Sequence, residues 1–162
     1  MKKIVISVLT LTALLGLSAC GSTEKTPKKE TAVSTEDSST KKDKQMKQME
    51  EDLEEKGVEI NINSIDDSLY FIREKGIDYD YFDMTFDVLH DPDEIRNIML
   101  RLKGNISGKD KDTLYYEVSK GRIVESSVDN TSINDMAKVL KSLDYSDKEI
   151  LEFAQWYYNK NQ

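Results

Sequence analysis

Carboxylates are the chemically capable side chains that this sequence gathers most densely. Asp78, Asp80, Asp83, Asp87, Asp91 and Asp93 fall within sixteen residues, and Asp78-x-Asp80-x-x-Asp83 puts three carboxylates in reach of one another. Oxygen-rich sets of this kind hold Ca²⁺, and a pair of carboxylates alone can cleave a glycosidic bond. The run departs from the EF-hand loop, which needs Gly at its sixth position and Glu at its twelfth. On a strand, Asp83 and Asp87 would face solvent opposite a buried Phe82 and Phe86. A solvated acidic face is therefore the simpler reading, and no metal site is assigned.

Other mechanisms are short of parts. Cys20 is the single cysteine and His90 the single histidine, so there is no intramolecular disulfide and no His/Cys zinc spacing. A Ser-His-Asp triad would have to use His90, which directly precedes a helix-cap pattern and lacks a Gly-x-Ser-x-Gly context. Gly104 and Gly108 bracket a loop but miss the phosphate-loop and dinucleotide spacings. No catalytic residue and no cofactor is assigned. Aromatic residues are the other supply, and Tyr and Trp are enriched at recognition surfaces. Trp156 and Tyr158 fall off the main apolar stripe of the last helix, so both are expected at the surface. With Asp78, Asp80 and Asp83 they form the candidate binding surface. Packing of a short final helix onto a sheet is the competing account of the aromatics.

The elements that must position these residues follow from apolar periodicity. Met46, Met49 and Leu53 make a narrow helical stripe closed by Gly57. Lysines crowd the N-terminal half of that helix and glutamates its C-terminal half, against the macrodipole, so it needs packing to persist. Residues 58–62 alternate as a strand with one buried face. Residues 64–75 are ambiguous: Ser64 with Asp67 spells a helix-capping box, while Leu69-Tyr70-Phe71-Ile72 is good strand material, and the balance leans to strand. Phe82, Met84, Phe86 and Val88 alternate with polar residues across a strand from about Tyr79 to Leu89. Asp91-Pro92-Asp93-Glu94 then reads as a helix start, with Ile95, Ile98, Met99 and Leu102 as its stripe and Gly104 as its end. Residues 104–112 read as a polar loop, and 114–118 with 122–128 as a hairpin about Ser119-Lys120-Gly121. Ser132 with Asp135 and Ser146 with Glu149 open two final helices. The sum is an α+β domain, a small antiparallel sheet packed against helices with a two-helix C-terminal end.

The N-terminus gives an address. Lys2 and Lys3 precede sixteen almost uncharged residues, Ile4 to Ala19. As a helix that run would be about 24 Å long, short for a hydrocarbon core of about 30 Å and suited to a signal peptide. It ends in Leu17-Ser18-Ala19-Cys20, which resembles the lipobox of bacterial lipoproteins. The resemblance covers these twenty residues only. It implies cleavage before Cys20 and diacylglyceryl modification of its thiol, and two acyl chains anchor stably. The expected organisation is a signal peptide over 1–19, a lipidated disordered tether over 20–41 and one domain over 42–162.

Charge bounds the partners. Residues 49–162 carry fourteen Lys and Arg against twenty-six Asp and Glu, whereas residues 21–48 carry seven Lys against five acids. So acidic a body argues against nucleic acid, which needs a basic face. It would also be repelled by anionic bilayers and wall polymers, while the stalk lysines would be attracted to them. The expectation is a lipoprotein of Gram-positive type, on the extracytoplasmic face of the cell membrane. It would be held there by Cys20 and act by binding, with an envelope or membrane protein as a candidate partner. Three rivals are a superinfection-exclusion or bacteriocin-immunity role, a carboxylate-only hydrolase acting on envelope glycans, and a signal fragment released as a peptide pheromone.

Overall fold

The computed structural model describes residues 38–90, 93–106, 109–110, 113–128 and 131–162. The apolar leader, Cys20 and most of the expected tether lie outside them, as do Asp91 and Pro92. The chain runs α1 (Ser38–Glu55), β1 (Glu59–Asn63), β2 (Ser68–Arg73), β3 (Asp78–His90), β4 (Asp93–Lys103), β5 (Asn105–Ile106), β6 (Lys109–Asp110), β7 (Thr113–Ser119), β8 (Arg122–Glu125), α2 (Ile133–Leu143) and α3 (Asp147–Asn161). Six strands form one antiparallel sheet in the order β1-β2-β3-β4-β7-β8, and β5 pairs with β6 apart from it. The α+β architecture is the one expected. Helix α1 begins at Ser38, inside the stretch read as tether.

Every neighbour in the large sheet is adjacent in chain order once the β5–β6 hairpin is set aside, so tight turns suffice. The β7–β8 turn has positive φ at both Lys120 (53°) and Gly121 (68°), the geometry that matches the twist of two antiparallel strands. Between β1 and β2 the chain turns through residues 64–67, ending in Asp67 at φ 52°. The 64–75 ambiguity thus resolves to a turn and a strand. Leu69 and Phe71 are fully buried, which a surface helix would not have achieved for both.

One expectation fails outright. The segment from Asp93 is not a helix but β4, paired with β3 from His90↔Asp93 to Asp78↔Lys103. Ile98, Leu100 and Leu102 are buried, with Met99 and Arg101 on the other face. That alternation competes with the i, i+3, i+4 reading of the same residues, and pairing against the long β3 ladder decides it. A register shift between Asp87 and Val88 brings Ile95 to the same buried side. Residues 104–112 are likewise not a plain loop, since Asn105 pairs with Asp110 and Ile106, buried, with Lys109. Strand β8 stops at Glu125, short of the expected Val128.

The helices cover one sheet face. Phe71 packs between Phe86 (4.8 Å) and Phe153 of α3 (5.7 Å). Met46, Met49 and Leu53 bury the α1 stripe, each contributing about 1.5–3 kcal/mol on transfer from water. Gly57 at φ 81° ends that helix as expected. Ser146 and Glu149 make both arms of a capping box. At the head of α2, Ser132 caps Asn134 N, while Asp135 accepts from the Tyr79 hydroxyl at 2.7 Å.

One buried cation stitches the layers. Arg73 donates from Nε to the Asp80 carbonyl (2.7 Å) and from Nη2 to the Tyr79 carbonyl (3.1 Å) and Ser142 Oγ (2.6 Å). Its guanidinium carbon lies 5.0 Å from the Phe82 ring centre. Burial lowers its pKa from the ordinary arginine value, and Asp80 works against that.

Candidate functional site

An open groove of about 820 Å³ lies where α1, α3, β4 and the β7–β8 turn meet. Its helical wall is set by the α3 stripe. Ile150, Phe153 and Ala154 bury inward, and this rotation leaves Trp156 half-buried at the groove. The indole backs onto Phe153, 5.9 Å between ring centres. Its Nε1 donates to Asp43 Oδ1 of α1 at 2.9 Å, and Lys160 Nζ lies 4.4 Å from its ring centre. Gln155 Oε1 accepts from Ile95 N of β4 at 3.2 Å, and its Nε2 donates to Asn159 at 2.9 Å. This fixes two polar amide side chains at the wall.

The groove's electrostatics reverse those of the body. Six basic side chains line it (Lys42, Arg96, Lys120, Arg122, Lys148 and Lys160) against three acidic ones, Asp43, Glu94 and Glu152. Arg122 is engaged by Asp147 at 2.6 Å and Lys148 by Glu152 at 3.7 Å. Burial tends to raise the Asp147 carboxyl, but its bonds from Arg122 and Ile123 N outweigh it and the pKa lies below the usual value. Lys42, Arg96 and Lys120 meet no carboxylate among the described residues.

Of the sequence-expected surface, Trp156 alone lines this groove. Tyr158, expected at the surface, is instead buried, 2% exposed. Ile150, Ala154 and Tyr158 follow at i, i+4 and i+8, so the buried stripe passes through Tyr158 and leaves Tyr157 at its margin. The three aspartates do not converge. Asp78 opens β3 at φ 57° beside Gly104. Asp80 meets Arg73 at 3.3 Å on the helix side, whereas Asp83 meets Arg101 at 3.1 Å on the opposite sheet face. Asp83 is also expected to face solvent, yet its Oδ1 is buried, as is Thr85 Oγ1, and neither has a hydrogen-bond partner among the described residues. His90 Nε2 lies 2.7 Å from Asp67 Oδ2.

A second polar cluster has a reactive look. The Tyr79 hydroxyl donates to Asp135 and accepts from Lys138 Nζ at 2.9 Å, a bond that raises the lysine pKa. All three side chains are spent on holding α2 against the start of β3. The basic residues of the groove escaped the sequence reading, because four separate elements supply them and no spacing along the chain marks them.

No protein-family model, curated protein or solved structure matches this chain. No helix among the described residues is long and apolar enough to cross a membrane.

Proposed function

We propose that this chain is a membrane-anchored extracytoplasmic lipoprotein whose α+β domain acts by binding, with the groove beside Trp156 as its site. The observation that carries the reading is the groove itself. Its volume falls in the range of ligand sites, and an indole, two amides and several cations with no carboxylate partner among the described residues converge on it. The anchoring part rests on Leu17-Ser18-Ala19-Cys20. Seventeen residues separate Cys20 from Ser38, so the domain can stand at most about 60 Å from the lipid. The scattered placement of Asp78, Asp80 and Asp83 removes support from a carboxylate-only hydrolase, whose two groups must face one bond.

The test is in-cell photo-cross-linking from the groove position 159 and from the open-face position 115, with Cys20→Ala as the unanchored control. One product from 159, absent from 115 and lost with Cys20→Ala, is expected. Equal products from both positions, or none from either, would discard the groove as the site. Retention of lipid labelling and membrane location by Cys20→Ala would discard the anchor.

A further inference from the structure

Resting on the groove as binding site, we infer that its ligand is an anionic saccharide or polyol chain bearing phosphate. Four observations lead there. First, the groove inverts the composition around it: acids outnumber bases almost two to one in residues 49–162, yet bases outnumber acids two to one on the groove wall. Second, the wall acids are already engaged or outnumbered. Asp43 accepts from the Trp156 indole and Glu152 pairs with Lys148, while Lys42, Arg96 and Lys120 have no carboxylate partner among the described residues. Third, the cations come from α1, β4, the β7–β8 turn and α3, so they surround the space from several sides and can follow several charges along a chain. Fourth, Trp156 offers a flat apolar wall next to the Gln155 and Asn159 amides, the combination that suits a hydroxylated ring or polyol backbone. An isolated phosphate would leave most of about 820 Å³ empty.

The acidic body does not cancel this. At physiological ionic strength the screening length is about 8 Å, so an anion inside the groove is governed by the side chains lining it. Lys160 is the exposed cation on the indole. It rests on the indole at 4.4 Å, an arrangement of modest strength at an exposed site, and can leave the ring for a phosphate as a ligand takes its place.

The chain holds a single tryptophan, so intrinsic fluorescence reads the groove directly. The full chain, purified from membranes in neutral detergent, would be titrated with poly(glycerol phosphate), neutral dextran, polyglutamate and phosphatidylglycerol vesicles. The expected result is a saturable change with poly(glycerol phosphate), none with dextran, and affinity at least about tenfold lower in Arg96→Glu/Lys120→Glu, a loss of about 1.4 kcal/mol. Unchanged circular dichroism would show that variant folded, and Lys120→Gln, on an exposed turn, serves if it is not. Response to dextran alone would overturn the ligand class while leaving the groove as the site. Equal response to polyglutamate would overturn the polyol requirement, and response to vesicles alone would replace the proposal with membrane docking. No fluorescence response to any probe, with cross-linking from position 159 intact, would overturn the inference and spare the proposed function.

Discussion

Replacing Arg73 by Met removes a buried charge that reaches from β2 to β3 and α2. The loss can be worked from its contacts. Ser142 Oγ keeps a partner, because it also donates to the Val139 carbonyl at 2.8 Å. The Asp80 carbonyl loses its guanidinium donor, whereas the Tyr79 carbonyl still has Ser142 Oγ at 3.3 Å. A lost donor costs about 1–3 kcal/mol. Against this, the variant no longer desolvates a cation, while the methionine stem still covers Phe82. A net destabilisation of about 2 kcal/mol results. Spread over about 125 residues at roughly 2.1 cal/mol/K each, it lowers the melting temperature by about 8 °C. Urea melts followed by Trp156 fluorescence and by circular dichroism would measure it. Arg73→Lys, which keeps the charge but not the fork, should fall between wild type and Met. A cycle with Ser142→Ala should return a coupling of at least about 0.5 kcal/mol. If Arg73→Met were within about 0.5 kcal/mol of wild type, the guanidinium would be a passenger and the account of how α2 is fastened would be wrong.

Two further predictions concern single positions. Asp52 accepts from Lys56 Nζ at 2.6 Å and from the Tyr145 hydroxyl at 2.7 Å, and these bonds hold its carboxyl below the usual pKa. A depressed folded pKa means the stabilisation is complete above the unfolded value of about 3.9 and is lost as pH falls through the folded one. Asp52→Asn should therefore be less stable than wild type at pH 7 and lose less on going to pH 3, read from urea midpoints at both. Gly121 and Gly104 should separate two costs. At Gly121 (φ 68°) an added Cβ meets nothing within 4 Å, so Gly121→Ala should cost about 1 kcal/mol of backbone strain. At Gly104 (φ 114°) it would lie 2.6 Å from Asp78 Oδ1, so thermal melts should show Gly104→Ala as the more damaging.

Much of the fold was legible because its signals are local. The α1 stripe, the β3 alternation, the two serine caps of α2 and α3 and the Lys120-Gly121 turn are all written within a few residues of one another. β4 was not, because Ile95, Ile98, Met99, Leu100 and Leu102 fit a helical face and a strand face alike. The choice lies with β3, whose exposed ladder rewards a partner strand in a way no window on 93–103 can record. Tyr158 was misplaced by a smaller error, a stripe centred one position early on α3. The site was the least legible part. Lys42, Arg96, Lys120 and Lys160 are each unremarkable solvated cations in sequence, and only the folding of four elements around Trp156 makes them neighbours.

The place where the chain leaves the domain has a mechanical consequence. Under the proposed anchoring at Cys20, any pull on the domain enters through Ser38, the first residue of α1. That helix is held by the Met46, Met49 and Leu53 side chains and by polar contacts at Asp43, Asp52 and Lys56. These attachments are strung along its length, so tension along the tether loads them one after another, beginning with Asp43. The six-stranded sheet, by contrast, is entered only after α1 has been peeled away. Asp43 and Lys42 belong to the groove wall, so the first turns to yield under load are those that close the groove around Trp156. Under the proposed anchoring, a domain dragged away from the membrane would open the groove before it began to unfold.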